Sequence, residues 1–469
     1  MKRILAILLV CFMALGLFAC TGTPPATQDN SATTDETAAT QAPAAENPTT
    51  DAARKQITFW FWGAATPYQE TMVNVLCGWY NKSQSEYELV MEFRNTVDTD
   101  IPVALAAGAA PDIIYASGPS YTSTYAQEGL VLDLNAYAEQ YGWKDRVLSV
   151  MYDACTVDSK LYSIPGAMVV GGLYYNKELF TEKGWQAPKT WDEMIALFDA
   201  AQADGIYALG AGNKGWKPCN IHFGSMVINH TLAPSAMYDA LSGTTSFDTP
   251  DMVNAVQISA DWYNKGYFAG QDYVNLDSME VMQLLADKRC AMVMAPTLYT
   301  QFVAQSTLAN NPEAVGFVPM PSTYTDEPIY DVSMTSNYAI NAATQYPDEC
   351  AKILDYMLTP EFVVEMTKGW PGYWTIPIKE LANVDTSSLT GLSLFTIDCV
   401  KNAIPYIDKG NFAYHPSTFF PPATVTAFTD IDTVWQGVVT AEQYCATVAK
   451  ELDAEIAAKL ICPLAKPAY

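Results

Sequence analysis

Gly210-Ala211-Gly212-Asn213-Lys214-Gly215 has the G-x-G-x-x-G spacing of a phosphate-cradling loop. Such loops use glycine to bring the backbone close to a pyrophosphate and hand it to a helix N-terminus. Pro218 stands where that helix should run, and no acidic residue closes a second strand about 20 residues on. The stretch therefore reads as a loop, and Trp216 sits where a P-loop requires lysine. His222, His230 and His415 share no metal-ligand spacing, and no G-x-S-x-G elbow presents a nucleophilic serine. With 51 Asp and Glu, some pair can always be nominated as a glycosidase dyad, but none stands out. The absence of Cys-x-x-Cys argues against zinc ribbons and thioredoxin-type redox sites. The eight cysteines beyond Cys20 read as buried thiols, with one or two disulfides left open. The sequence thus predicts no catalytic residue, no metal and no cofactor.

Charge excludes other partners. Lys and Arg number 25 against those 51 acids, a net of −26 that disfavours nucleic acid and anionic lipid surfaces. At 469 residues the chain is too long for one core, so two or three domains or a bilobed unit are expected. Lys2 and Arg3 precede an apolar run from Ile4 to Phe18, too short to span a bilayer and right for an export signal over 1–19. The run ends Leu17-Phe18-Ala19-Cys20, which resembles the bacterial lipoprotein box and makes Cys20 the expected lipidation site. Of the 33 residues 21–53, 23 are Thr, Ser, Ala or Pro and none is Ile, Leu, Val, Met or aromatic, so 20–56 reads as a tether that cannot bury a core. Beyond it the pattern alternates. Ile57–Trp62 reads as a buried strand, and Thr66-Pro67-Tyr68-Gln69 as a helix start with Thr66 as N-cap. Strands follow at Tyr87–Phe93 and Pro111–Tyr115. Helices are expected at 101–107, 176–183, 190–203, 250–265, 278–288, 347–358 and 441–459. Thr190 and Glu193 form a capping-box pattern. The mixture predicts an α/β fold with sheets covered on both faces.

Several segments, in order, resemble the carbohydrate-type extracellular solute-binding proteins (family 1) of bacterial ABC importers. They are Ile57–Gly63; Ala104–Tyr115 with Tyr125–Leu130; Ile164-Pro165 with Gly172–Phe180 and Lys189–Glu193; Ala291–Met294; and Pro371–Pro377. The resemblance implies a type II periplasmic-binding-protein-like fold with two discontinuous lobes. The first lobe takes 57–167 and 333–371, the second 172–328 and 376–466, with crossings near 165–172, 328–333 and 372–377. Gly166, Gly171, Gly172 and Gly372 fall at those crossings and fit a hinge. The implied protein is no enzyme. It is a monomeric, lipid-anchored receptor on the extracellular face of the cell membrane that clamps a sugar-like solute and delivers it to permease subunits. A sugar needs aromatic faces for its C–H face and amides or hydroxyls for its hydroxyls. Trp62, Thr66, Ser117, Ser120 and Tyr121 follow strand ends in the first lobe; Asn213, Trp216, Tyr299, Tyr373 and Trp374 lie in loops or crossings of the second or its edge. These ten are the expected ligand wall, with Trp60 and Trp191 left to the core. Ala116 and Val169 stand where the maltose-binding relative carries ligand contacts, so maltodextrin is not implied. The rival readings are a secreted glycoside hydrolase and a sensory or adhesive binding protein without a permease.

Overall fold

The computed structural model describes residues 54–268 and 271–469. The export signal, Cys20 and nearly all of the tether lie outside the described residues. Thirteen strands follow in chain order: β1 Lys55–Trp62, β2 Tyr87–Arg94, β3 Ile113–Ala116, β4 Thr156–Val157, β5 Lys160–Leu161, β6 Ser163–Pro165, β7 Met168–Asn176, β8 Tyr207–Gly210, β9 Cys290–Pro296, β10 Val315–Val318, β11 Tyr330–Met334, β12 Asn337–Ile340 and β13 Phe412–Tyr414. β4 and β5 pair as a small hairpin. The others form two sheets, β2-β1-β3-β12-β6 and β13-β11-β7-β9-β8, with β10 on the β7 edge.

β1 lies parallel to β2 over its whole length, from Lys55↔Tyr87 to Trp62↔Arg94. Its alternation decides which face is core: Ile57, Phe59 and Phe61 are fully buried, while Thr58, Trp60 and Trp62 are half-buried. The strand is thus buried on one face rather than two. Trp60, expected in the core, lies on the other face under the Arg94 guanidinium, 3.4 Å from its ring centre. Trp191 is half-buried, packing 5.5 Å from Trp262.

The expected helices form, with the bounds moved. The Trp191–Ala203 helix carries the complete capping box: Glu193 N–H donates to Thr190 Oγ1 at 3.2 Å, and the Glu193 carboxylate accepts from Thr190 N–H at 3.3 Å. The helix expected at 101–107 starts at Val97, and Thr66 is a correction. The helix is Thr66–Met72, its N-cap is Ala65, and the Thr66 side chain caps nothing. Pro218 also behaves otherwise than expected. It opens the Pro218–Thr231 helix at the first position, where a missing N–H costs nothing. β8, a glycine loop and a helix therefore do follow one another. The glycines nonetheless make room for the chain's own atoms. A Cβ at Gly212 would lie 2.5 Å from Val281 Cγ2, and one at Gly210 would lie 2.8 Å from Cys290 Sγ.

Three segments carry the chain between the sheets. The first is Gly166-Ala167, between β6 and β7. The second is Thr335-Ser336, between β11 and β12. The third follows the Pro360–Gly369 helix. They run side by side: Gly166 N–H donates to Ser336 O, Thr335 N–H to Ala167 O and Met168 N–H to Thr375 O, each at 2.8 Å. The crossing expected at 328–333 thus falls on β11, which pairs with β7 and β13 in the second sheet. The third crossing runs on, because Leu148 N–H still donates to Pro377 O at 2.9 Å.

Two of the expected hinge glycines are corrections. Gly171 and Gly172 are ladder residues of β7, paired with Pro296 and Ala295. Glycine is needed at 172 for close approach, since a Cβ there would lie 2.4 Å from the Phe317 ring and 2.6 Å from Val318 O. Gly166 and Gly372 do lie in crossing segments. A Cβ at Gly166 would lie 2.6 Å from Ser336 O, and Gly372 has φ +94°, a region open to glycine.

Candidate functional site

β1 ends at Trp62 and β3 at Ala116, so the loops beyond them come from adjacent strands of the first sheet. Trp62 is half-buried and its Nε1–H donates to Tyr373 Oη at 3.1 Å. Behind it lies an aromatic stack. Tyr373 packs on Trp370 at 4.6 Å and 21°, and Trp370 packs on Tyr68 at 4.6 Å and 5°. After β3, the Ser117 hydroxyl donates to Asp98 Oδ1 at 2.7 Å. Ser120 is half-buried and Tyr121 is 39% exposed on the Pro119–Gln127 helix. Thr66 is exposed.

From the second sheet, the loop after β8 presents Trp216, 49% exposed, with its ring edge-on to His222 at 5.4 Å. His222 also packs edge-on against Tyr299 at 5.5 Å, which follows β9. The Tyr299 hydroxyl accepts from Ser278 Oγ at 3.0 Å. Asn213 is buried, its side-chain oxygen accepting from Asn220 N–H at 3.2 Å, so it closes its own helix start.

The structure thus sorts the ten expected residues. Trp62 and Tyr373 come together, and Trp216 and Tyr299 meet through His222. Trp374 is the plainest correction. It is 0% exposed, stacked on Phe61 at 5.7 Å and packed on Phe362, so the core claims it. Asn213, Tyr299 and Tyr373 are buried behind the wall rather than on it. Trp370, Tyr68, Asp98, His222 and His415 were missed. Trp370 had a signal, since it directly precedes the Pro371-Gly372 crossing. His222 had none, because its partner is 193 residues away.

That partner is His415, whose Nε2 lies 3.0 Å from His222 Nδ1. Ser417 N–H donates to His415 Nδ1 at 3.3 Å, so the His415 proton sits on Nε2 and His222 Nδ1 accepts it. His222 then carries its own proton on Nε2, a buried atom with no hydrogen-bond partner among the described residues. Burial drives both imidazoles to the neutral form. His222 is held well below its usual pKa, and His415 falls to about 4.

A cavity of about 930 Å³ lies elsewhere, lined by Tyr175, Phe180, Trp185, Lys189 and Glu193, and another of about 640 Å³ lies between Glu139, Asp153 and the C-terminal Pro463-Leu464. Neither touches the ten expected residues. Among the described residues no three His, Cys, Asp or Glu side chains are placed to hold a metal, all eight cysteines are unpaired, and no helix is long and apolar enough to cross a membrane.

The two sheets and the chain crossings between them are those of a two-lobed fold. Residues 35–363 match the family model of bacterial extracellular solute-binding proteins, and the chain belongs to that family. The multiple sugar-binding protein of Streptococcus mutans is 34% identical over 100 residues, 21% of this chain and 24% of that one. The matched stretches span 31%, 24% and 32% of the length of three curated relatives. Among solved structures, a chitin oligosaccharide binding protein superposes with TM-score 0.70 at 21% identity, covering 87% of this chain and 100% of that one. The protein RafE in complex with raffinose gives 0.65 at 16%, covering 85% and 99%. The likeness establishes the two-lobed fold.

Proposed function

We propose that this protein is the solute-binding receptor of an ABC importer, taking a sugar or short oligosaccharide between its lobes. Membership of the solute-binding family carries the reading, and relatives whose names or bound ligands are sugars support the ligand class. The role is binding, not turnover. Trp62, Ser117, Ser120 and Tyr121 form the first-lobe wall and Trp216 the second-lobe face, with Thr66 at the rim. The half-buried Trp62 and the exposed Trp216 offer indole faces to a sugar's apolar C–H side, and the Ser117 hydroxyl with the Asp98 carboxylate offers partners to its hydroxyls. Ligand contacts made by both lobes favour the closed form, and the closed pair of lobes docks on the permease. The protein acts as a monomer.

The test is thermal denaturation against a panel that includes chitotetraose, xylotetraose and raffinose. At least one sugar is expected to raise the melting temperature, by the linkage of native-state binding to stability. A panel with no shift and no change in Trp fluorescence would overturn the sugar reading.

Lipidation of Cys20 would hold the receptor at the extracellular face of the cell membrane. Cys20→Ala is expected to move the protein from the membrane fraction to the medium or periplasm. Retention in the membrane would refute the anchor.

A further inference from the structure

Tyr373 lies where four parts of the molecule meet. Its ring is stacked on Trp370, whose indole N–H reaches Gln301 Oε1 at 3.4 Å in the segment after β9. Its neighbour Gly372 is pressed against the same segment, so that a Cβ there would lie 2.9 Å from Gln301 N and 3.1 Å from Leu298 O. Two residues on, Thr375 accepts from Met168 N–H at 2.8 Å, and its hydroxyl bonds Met168 O, locking the third crossing to the first. The Tyr373 hydroxyl itself receives the Trp62 indole N–H at 3.1 Å. Tyr373 is only 4% exposed, so it stands behind the wall rather than on it.

We infer that Tyr373 is a positioning residue that couples Trp62, the first-lobe wall, to the crossing segments, so that the setting of the wall indole and the angle between the lobes are set together. A tryptophan held by one hydrogen bond to a hinge hydroxyl cannot turn without moving that hydroxyl. Conversely, a movement of the third crossing, in which Tyr373 lies, re-aims the indole. The inference rests on the reading of the wall as the binding surface, but its readout does not, because it is made on unliganded protein.

Spin labels at the exposed Val103 and Val274, on the first-lobe and second-lobe sides, report the distance between lobes by pulsed electron resonance. Tyr373→Phe removes only the hydroxyl. It is expected to broaden the distance distribution, Trp62→Phe is expected to broaden it in the same way, and the double variant is expected to add nothing further, as for two ends of one bond. A Tyr373→Phe distribution identical to that of the unsubstituted protein would overturn the coupling, and so would full additivity in the double variant. Should Tyr373→Phe fail to fold, Trp62→Phe reads the same bond from its other end, and an unchanged distribution there overturns it equally. A sugar panel without a thermal shift would sink the binding reading and leave this result standing.

Discussion

Asp331→Ala is expected to cost about 3–5 kcal/mol of folding free energy, the size of effect seen when one partner is removed from a buried ionic cluster. Asp331 is 1% exposed in β11 and satisfies three side chains at once. Its Oδ1 accepts from Asn229 Nδ2 at 2.7 Å and from Ser225 Oγ at 3.0 Å, and its Oδ2 lies 2.9 Å from His230 Nε2. Burial alone would raise its carboxyl pKa. The His230 hydrogen bond and charge, with Asn229, outweigh that and hold it below the usual range. Alanine leaves those groups of the Pro218–Thr231 helix without an acceptor in a place water does not reach. Urea denaturation should show a lower midpoint with an unchanged slope. Asp331→Asn, which keeps an acceptor oxygen, should fall between the two. A loss below about 1 kcal/mol for alanine would mean that water enters the cluster and that the Coulomb and hydrogen-bond terms are screened as at a surface.

This cluster also shows where sequence reading stops. β1 was legible because its run of β-branched and aromatic residues, Ile57-Thr58-Phe59-Trp60-Phe61-Trp62, is a local property of the chain, although the run does not show that only the Ile57, Phe59 and Phe61 face is core. The Thr190 capping box was legible for the same reason, with donor and acceptor three residues apart. The Pro218–Thr231 helix was missed because nearly all of its residues are buried, which erases the polar face that reveals a helix. Its opening proline was taken as a stop when it was a start. β11 was assigned to a crossing because membership of a sheet depends on partners, here Val170 and Phe412, that lie far off in sequence. Tyr373 and Trp374 are neighbours of like chemistry in a crossing segment. Only the packing of Phe61 and Phe362 decides that the second belongs to the core. The exposed Trp216 was readable from its loop, whereas the imidazole behind it was not, since nothing near His222 announces His415.

The same pair of imidazoles sets the response to acid. In the unfolded chain both titrate near 6.5, whereas in the native protein His415 stays neutral down to about 4 and His222 is depressed as well. Between those limits the unfolded state binds more protons. Their contribution is therefore whole above pH 6.5 and drains away as pH falls towards 4. For His415 alone the loss is about 3 kcal/mol, at 1.36 kcal/mol per unit. His222 acts in the same direction but shares a hydrogen bond with His415, so the two do not simply add. Asp331, with a depressed carboxyl, adds a further loss only at more acid pH. His415→Gln keeps a side-chain amide in place and removes the titration. Between pH 7 and 4.5 the unsubstituted protein is expected to lose about 2–3 kcal/mol more than this variant, because the many carboxylates contribute equally to both curves. Parallel curves would mean that solvent reaches His415 in the folded state. The consequence would extend to the hinge, since His415 caps the short Pro416–Phe419 helix and Thr418 Oγ1 in that helix accepts the Met334 N–H at 2.7 Å, next to the Thr335-Ser336 crossing. Protonating His415 removes the lone pair that caps the helix, so the inter-lobe distance should broaden in acid before the protein unfolds.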